Sequence, residues 1–150
     1  MKVVIQRVKE ANVRIEGELY SEIGHGLLIL LGICNEDDLD DVNWLVNKIL
    51  NLRIFDDENG VMNKSVLDFD GNIMIVSQFT LHAKTKKGNR PSYIEAASPN
   101  VAIPLYEKFI ESIQKGLGKA IETGKFGAQM QLGLINDGPV TIIIDSKRRE

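Results

Sequence analysis

Hydrophobic positions near the start of the chain fall on every second residue. Val3, Ile5 and Arg7, then Val13, Arg14 and Ile15, have the period of half-buried strands, and Glu16-Gly17 marks a turn before Leu19-Tyr20-Ser21. After Gly24 and Gly26 the alternation stops. Leu27 to Ile33 is continuously apolar, which predicts a strand buried on both faces. Asn35-Glu36-Asp37-Asp38 then opens a helix whose acidic start suits the positive end of the helix dipole, with Val42, Leu45, Val46, Ile49 and Leu50 on its apolar face. Arg53-Ile54-Phe55 predicts a short strand, and Asp56 to Gly60 a turn.

Further along, Ile73 to Val76 is a second buried strand running into Ser77-Gln78-Phe79-Thr80-Leu81, followed by a polar, basic loop from His82 to Ser92. Ser98-Pro99-Asn100 starts a second long helix with Pro99 at a tolerated first-turn position. Pro104 is expected to delay its regular part. Ile103, Leu105, Phe109 and Ile113 form its expected inner face, and Gly116 to Gly118 end it. From Ala120 to Asp145 the pattern is strands and tight turns, and residues 146–150 are expected to fray.

This order predicts one α+β domain over residues 1–150, β-rich, with a largely antiparallel or mixed sheet and two main helices. At 150 residues, 43% hydrophobic and 26% charged, the chain suits a single globular core. The longest apolar run is too short to cross a bilayer and the N-terminus lacks signal-peptide anatomy, so the expectation is a cytoplasmic protein with no membrane contact. Cys34 is the only cysteine, and His25 and His82 are the only histidines, at a spacing that fits no zinc pattern; no metal or other cofactor is expected. The Asp56 to Gly60 turn has its glycine in the wrong register for a calcium loop. A net charge of −3 argues against indiscriminate nucleic-acid binding but allows a local basic patch.

Three stretches carry candidate chemistry. Ser77-Gln78-Phe79-Thr80 places two hydroxyls and an amide just past a buried strand, where a rigid scaffold can present them. A strand end whose backbone needs polar partners gives the same residues, and Ser77 lacks the glycine-flanked elbow of a triad nucleophile. His82 to Arg90 contains Lys84, Lys86, Lys87 and Arg90 and no acid; it fits a phosphate backbone or an ordinary solvated loop. Asn136-Asp137-Gly138-Pro139-Val140-Thr141 interrupts an apolar run. A turn before a final strand, with trans Pro139, accounts for it locally, and a cis bond is the other option.

Together these segments resemble the D-aminoacyl-tRNA deacylase family over nearly the whole chain. The resemblance rests on Ser77-Gln78-Phe79-Thr80-Leu81 and Asn136 to Thr141, with Arg53-Ile54-Phe55, Gly88-Asn89-Arg90-Pro91-Ser92 and Ala97-Ser98-Pro99 beside them; Tyr93 stands where the family often has Phe. It implies a barrel-like fold or two packed sheets, and a homodimer. In that dimer a cis Gly138-Pro139 pair, braced by Arg7, would project into the partner's pocket and exclude L side chains. The implied reaction is hydrolysis of D-aminoacyl-tRNA, and of glycyl-tRNA because glycine has no side chain to reject. Ser77, Gln78, Phe79 and Thr80 would form the catalytic segment. The Phe79 and Thr80 backbone N–H groups would hold the oxyanion and Gln78 would position the ribose or carbonyl. Phe126 and Met130 would line the adenosine pocket, with core packing an equal alternative. Lys84, Lys86, Lys87 and Arg90 would contact acceptor phosphates, with no DNA partner expected. A non-catalytic nucleic-acid-binding module on the same fold is the main alternative, and a conventional serine or threonine esterase the second.

Overall fold

The structure, a computed structural model, describes Met1–Glu150. Strand β1 (Lys2–Ile15) organises it. Along one edge β1 pairs antiparallel with β8 (Gln131–Asp145); along the other it pairs first with β3 (Gly26–Gly32) and then with β2 (Glu18–Ile23). Beyond β3 the sheet continues in parallel through β6 (Asn72–Ser77) to β7 (Glu122–Thr123). The far strands meet again where Ser21 Oγ of β2 donates to the Thr123 carbonyl of β7 at 2.8 Å. The sheet is therefore mixed and nearly closed, as the barrel-like α+β expectation held.

Because side chains alternate across a strand, the continuous apolar runs serve two cores. Leu27, Ile29 and Leu31 join Val3, Ile5, Ile73 and Ile75 on the face covered by α1 (Leu39–Asn51) and α3 (Pro99–Leu117). Leu28, Met74 and Val76 point the other way and meet Val8, Ala11, Val13 and Ile23.

Helix α1 begins after Asp38 rather than at Asn35. Asp38 caps it reciprocally with Asp41: Asp41 N–H donates to Asp38 Oδ1 at 3.2 Å, and Asp38 N–H donates to Asp41 Oδ2 at 3.0 Å. All five apolar positions expected on its inner face are buried. In α3 the inner face keeps the expected Phe109 and Ile113, but its first turns differ from expectation. Ala102, Tyr106, Phe109 and Ile113 are buried, whereas Ile103 is 36% exposed. Pro104 does not delay the helix. It lies on the exposed side, as does Asn100, whose carbonyl the missing Pro104 N–H would have served, so that carbonyl is open to solvent. Gly118 ends the helix at φ 77°.

The middle of the chain departs further. The short strand is β4 (Phe55–Asp56), paired with β5 (Met62–Lys64), and a one-turn helix α2 (Val66–Phe69) follows with Ser65 as its cap. No helix is long and apolar enough to cross a membrane.

Residues 146–150 do not fray as expected. Ser146 is buried, and its N–H donates to the Met1 carbonyl at 2.9 Å. Lys147 Nζ reaches Asp41 Oδ2 at 2.7 Å, and the Arg149 guanidinium lies 4.7 Å over the Trp44 ring. Composition indicated a polar tail; the partners that hold it are Met1 and, on α1, Asp41 and Trp44.

Candidate active site

The Asn136 to Thr141 stretch is not a turn. Residues on both sides pair with β1 in one antiparallel direction, Asn136 with Val8 and Thr141 with Gln6, so residues 137–140 bulge out opposite Arg7 alone. Asn136 closes the base of this excursion: its Oδ1 accepts from Val140 N–H at 3.3 Å and its Nδ2 donates to Thr141 Oγ1 at 3.0 Å. The Gly138-Pro139 bond is cis, and Gly138 has φ 124°. A β-carbon on Gly138 would meet Val140 Cγ2 at 2.9 Å and Arg7 Nη2 at 3.1 Å, so any other residue would be strained by its φ and would have to displace these side chains.

Arg7 follows Val3 and Ile5 on the helix-facing side of β1 and is itself buried. A buried cation needs partners on every side, and the planar guanidinium fork finds them. Nη1 donates to the Ile54 carbonyl at 2.7 Å and to Asp56 Oδ1 at 3.3 Å, while Nε donates to the Asp137 carbonyl at 3.2 Å. The Asp137 carboxylate also lies 3.4 Å from Nε and 3.1 Å from His25 Nε2, and His25 stands edge-on to Phe69 at 4.6 Å. Sequence reading anticipated Arg7 but missed His25, whose place between two glycines carried no signal of the contact.

The second half of the site begins where β6 ends. Gln78 N–H donates to the Leu31 carbonyl at 2.8 Å, continuing the parallel pairing, and the chain then winds into a 3-10 turn, Phe79–His82. Phe79 and Thr80 occupy the first turn, where N–H groups have no acceptor within the helix. The Gln78 side-chain amide donates to Thr80 Oγ1. Beside them is a cavity of about 80 Å³ lined by Ser77, Gln78, Phe79, Ala97, Ala102 and Phe126, among others.

Phe126 thus reaches the pocket, from a loop rather than a strand. Met130 packs instead against the Val8–Val76 core, over Gly124, where a β-carbon would lie 2.6 Å from its sulfur. No histidine hydrogen-bonds Ser77 or Thr80: His25 is committed to Asp137, and His82 Nε2 is buried without a partner.

Lys84 and Ser92 exchange backbone hydrogen bonds of 2.8 and 3.0 Å, so the basic loop is a hairpin whose neighbour Tyr93 packs edge-on against Phe79 at 5.1 Å. Lys84 pairs with Glu95; Lys86, Lys87 and Arg90 are exposed and form no ion pair. Another grouping escaped the sequence spacing: Cys34, Asp37 and His82 bring ligand-type atoms within 4.8 Å of one another. Burial pushes the Cys34 thiol up and the His82 imidazole down from their ordinary pKa values.

Within one chain the two halves do not meet. Ser77 sits level with Val3 through Leu31, and the excursion sits level with Arg7, on opposite sides of β1. With strand rises of about 3.4 Å and spacings of about 4.8 Å, the path between them along the curved sheet is roughly 20 Å.

The fold and these two segments define a class. The profile of the family described as D-Tyr-tRNA(Tyr) deacylase matches residues 4–145. A D-aminoacyl-tRNA deacylase of Parabacteroides distasonis is 60% identical over the full length of both chains, and one of Flavobacterium johnsoniae is 59% identical, again over both full lengths. A solved structure titled c-Myc DNA Unwinding Element Binding Protein is 46% identical with a TM-score of 0.92, covering 97% of this chain and 98% of its own. Another, titled as a probable eukaryotic D-amino acid tRNA deacylase, shares the fold at TM-score 0.82 and 18% identity, covering 95% and 97%. The chain belongs to the D-Tyr-tRNA(Tyr) deacylase family.

Proposed function

We propose that this protein hydrolyses the ester between a D-amino acid and the 3′-terminal adenosine of tRNA, releasing the free amino acid and tRNA, in the cytoplasm. Family membership and full-length relatives of that name support the reaction. The observation that carries the stereochemical part is the Gly138-Pro139 excursion, held to the rigid core by Arg7. Its Gly138 and Pro139 carbonyls would receive the substrate α-ammonium and fill the space an L side chain needs. Rejection by clash requires a probe that cannot yield, and a guanidinium anchored to Ile54 and Asp56 supplies that stiffness. Glycyl-tRNA offers nothing to reject and would also be cleaved.

Ser77, Gln78 and Phe79, which line the pocket, and Thr80 beside them would form the catalytic segment, and a second copy of the chain would bring the excursion to it. The path of roughly 20 Å along the sheet between the halves of one chain supports a homodimer. So does β8, whose outer edge is unpaired and bears exposed Ile135 and Ile143. Water would attack the ester carbonyl, the Phe79 and Thr80 N–H groups would stabilise the oxyanion, and the ribose oxygen would leave with a proton. The vicinal 2′-hydroxyl of the tRNA would activate the water, in keeping with a site where no histidine contacts either hydroxyl. Phe126 would pack against the adenosine. Met130 would contribute to core packing, and Lys86, Lys87 and Arg90, with Lys84 nearby, would meet acceptor phosphates.

A second reading is a nucleic-acid-binding module without hydrolysis, favoured by the basic hairpin and by the name of the 46% identical structure. Matched D- and L-tyrosyl-tRNA distinguish the readings. Deacylation of the D ester alone supports the proposal. Deacylation of both favours a conventional esterase, and deacylation of neither favours the binding module.

A further inference from the structure

We propose that Cys34, Asp37 and His82 form a binding site for a thiophilic divalent cation of the zinc class, apart from the deacylation pocket. Two of the residues, Cys34 and Asp37, come from the loop between β3 and α1, and the third, His82, ends the 3-10 turn. One sulfur, one nitrogen and one carboxylate oxygen lie within 4.8 Å of one another. Ligands around tetrahedral zinc, at about 2.0 to 2.3 Å from the metal, are closer to each other than this, so a modest contraction closes the set. Imidazole and thiolate select zinc-like ions over magnesium or calcium.

An independent observation points the same way. His82 is 4% exposed, and its Nε2 is the one buried side-chain polar atom without a hydrogen-bond partner. A buried imidazole nitrogen without a partner is destabilising unless something occupies it. Gly32 makes room for the ring: a β-carbon there would stand 3.2 Å from His82 Cδ2.

The approach is open. Cys34 and His82, though not Asp37, line a surface cavity of about 560 Å³ whose wall carries Glu36, Glu95 and Asp145 beside Lys2, Lys84, Lys147 and Arg148, large enough for water to complete the coordination. Asp37 is already fixed, accepting from the Met1 amine and from Cys34 N–H at 2.8 Å, and each carboxylate oxygen keeps a second lone pair. Binding would transfer the Cys34 thiol proton to solvent and form the sulfur–metal bond.

Cobalt(II) is the probe, because a thiolate ligand gives it a near-ultraviolet charge-transfer band. Titrating the metal-free full chain is expected to develop that band to one equivalent per chain. Cys34→Ser is expected to abolish it, and His82→Asn to weaken cobalt and zinc affinity by more than about tenfold. Zinc is expected to raise the melting temperature of the wild type but not of either variant, which also reports whether each variant folds. Absence of the band, its persistence in Cys34→Ser, or equal zinc stabilisation of all three proteins would overturn the assignment.

Discussion

Arg7 Nε donates to the Asp137 carbonyl at 3.2 Å, joining the most buried cation of the sheet to the residue just before Gly138-Pro139. The contact is to backbone, so it fixes where the chain runs rather than which side chain is present. The other guanidinium edge holds the Ile54 carbonyl at 2.7 Å, so the excursion is tied across β1 to the β4 region.

Replacing Arg7 should therefore affect two properties at once. Arg7→Ala leaves the Ile54 and Asp137 carbonyls without a donor, at about 1–3 kcal/mol each where burial is complete. Urea unfolding is expected to show a loss of about 2–4 kcal/mol. Arg7→Lys keeps the charge but not the planar fork, and is expected to recover part of that stability. In both variants the ratio of D- to L-tyrosyl-tRNA hydrolysis should fall. Unchanged selectivity in a folded Arg7→Lys protein would detach the brace from the stereochemical filter.

Salt dependence separates the members of the basic hairpin. Each phosphate neutralised contributes about 0.7–0.9 to the slope of log affinity against log salt. Lys86, Lys87 and Arg90 are free to make such contacts, whereas Lys84 is held by Glu95. Single alanine substitutions at Lys86, Lys87 or Arg90 are expected to lower the slope, and Lys84→Ala to leave it nearly unchanged. The effect should not depend on which tRNA is offered. A wild-type affinity insensitive to salt would remove the hairpin from tRNA binding.

The C-terminal anchor sets a pH dependence of stability. Burial pushes the Asp41 carboxyl up, but hydrogen bonds from Lys147, Ser146 and the Asp38 backbone outweigh it and bring the pKa to about 2, below the ordinary 3.8. A folded-state pKa below the unfolded value means stability that is present above pH 3.8 and lost as pH falls towards about 2. The shift corresponds to roughly 2 kcal/mol. Lys147→Met is expected to lower neutral-pH stability by about 1–2 kcal/mol, with the gap to wild type closing across that acid window. Urea midpoints measured from neutral to acid pH check this, and a gap that stays constant would contradict it.

The buried runs of β3 and β6 and the apolar face of α1 were legible because their periods are set by burial itself. The α3 face was misread only in its first turns, because two apolar stripes, Ala102–Tyr106–Phe109 and Ile103–Leu105, overlap there; only packing against α1 decides between them. The Asn136 to Thr141 motif was visible as an interruption, but a turn and a bulge share the same residue preferences. That both flanks pair with one strand is a non-local fact. His25 and the Cys34–Asp37–His82 group were not legible for the same reason: His25 meets Asp137, and His82 meets the Cys34–Asp37 loop, only through the tertiary fold.

Substitution of Thr80 separates two ways of activating the water. Its Oγ1 accepts from the Gln78 amide, which leaves its proton free but offers no base to remove it. Histidine is absent from its hydrogen-bonding neighbourhood, so the hydroxyl is a poor nucleophile as it stands. Thr80→Ala is therefore expected to retain turnover within about tenfold of wild type. Removing the 2′-hydroxyl from the terminal adenosine of tRNA is expected to slow hydrolysis by about 10²–10⁴, the range of a lost general base. Single-turnover rates with a separate binding measurement distinguish chemistry from affinity. Should Thr80→Ala lose nearly all turnover with binding intact, while the 2′-deoxy substrate reacts normally, the reaction runs through the threonine and not through the RNA.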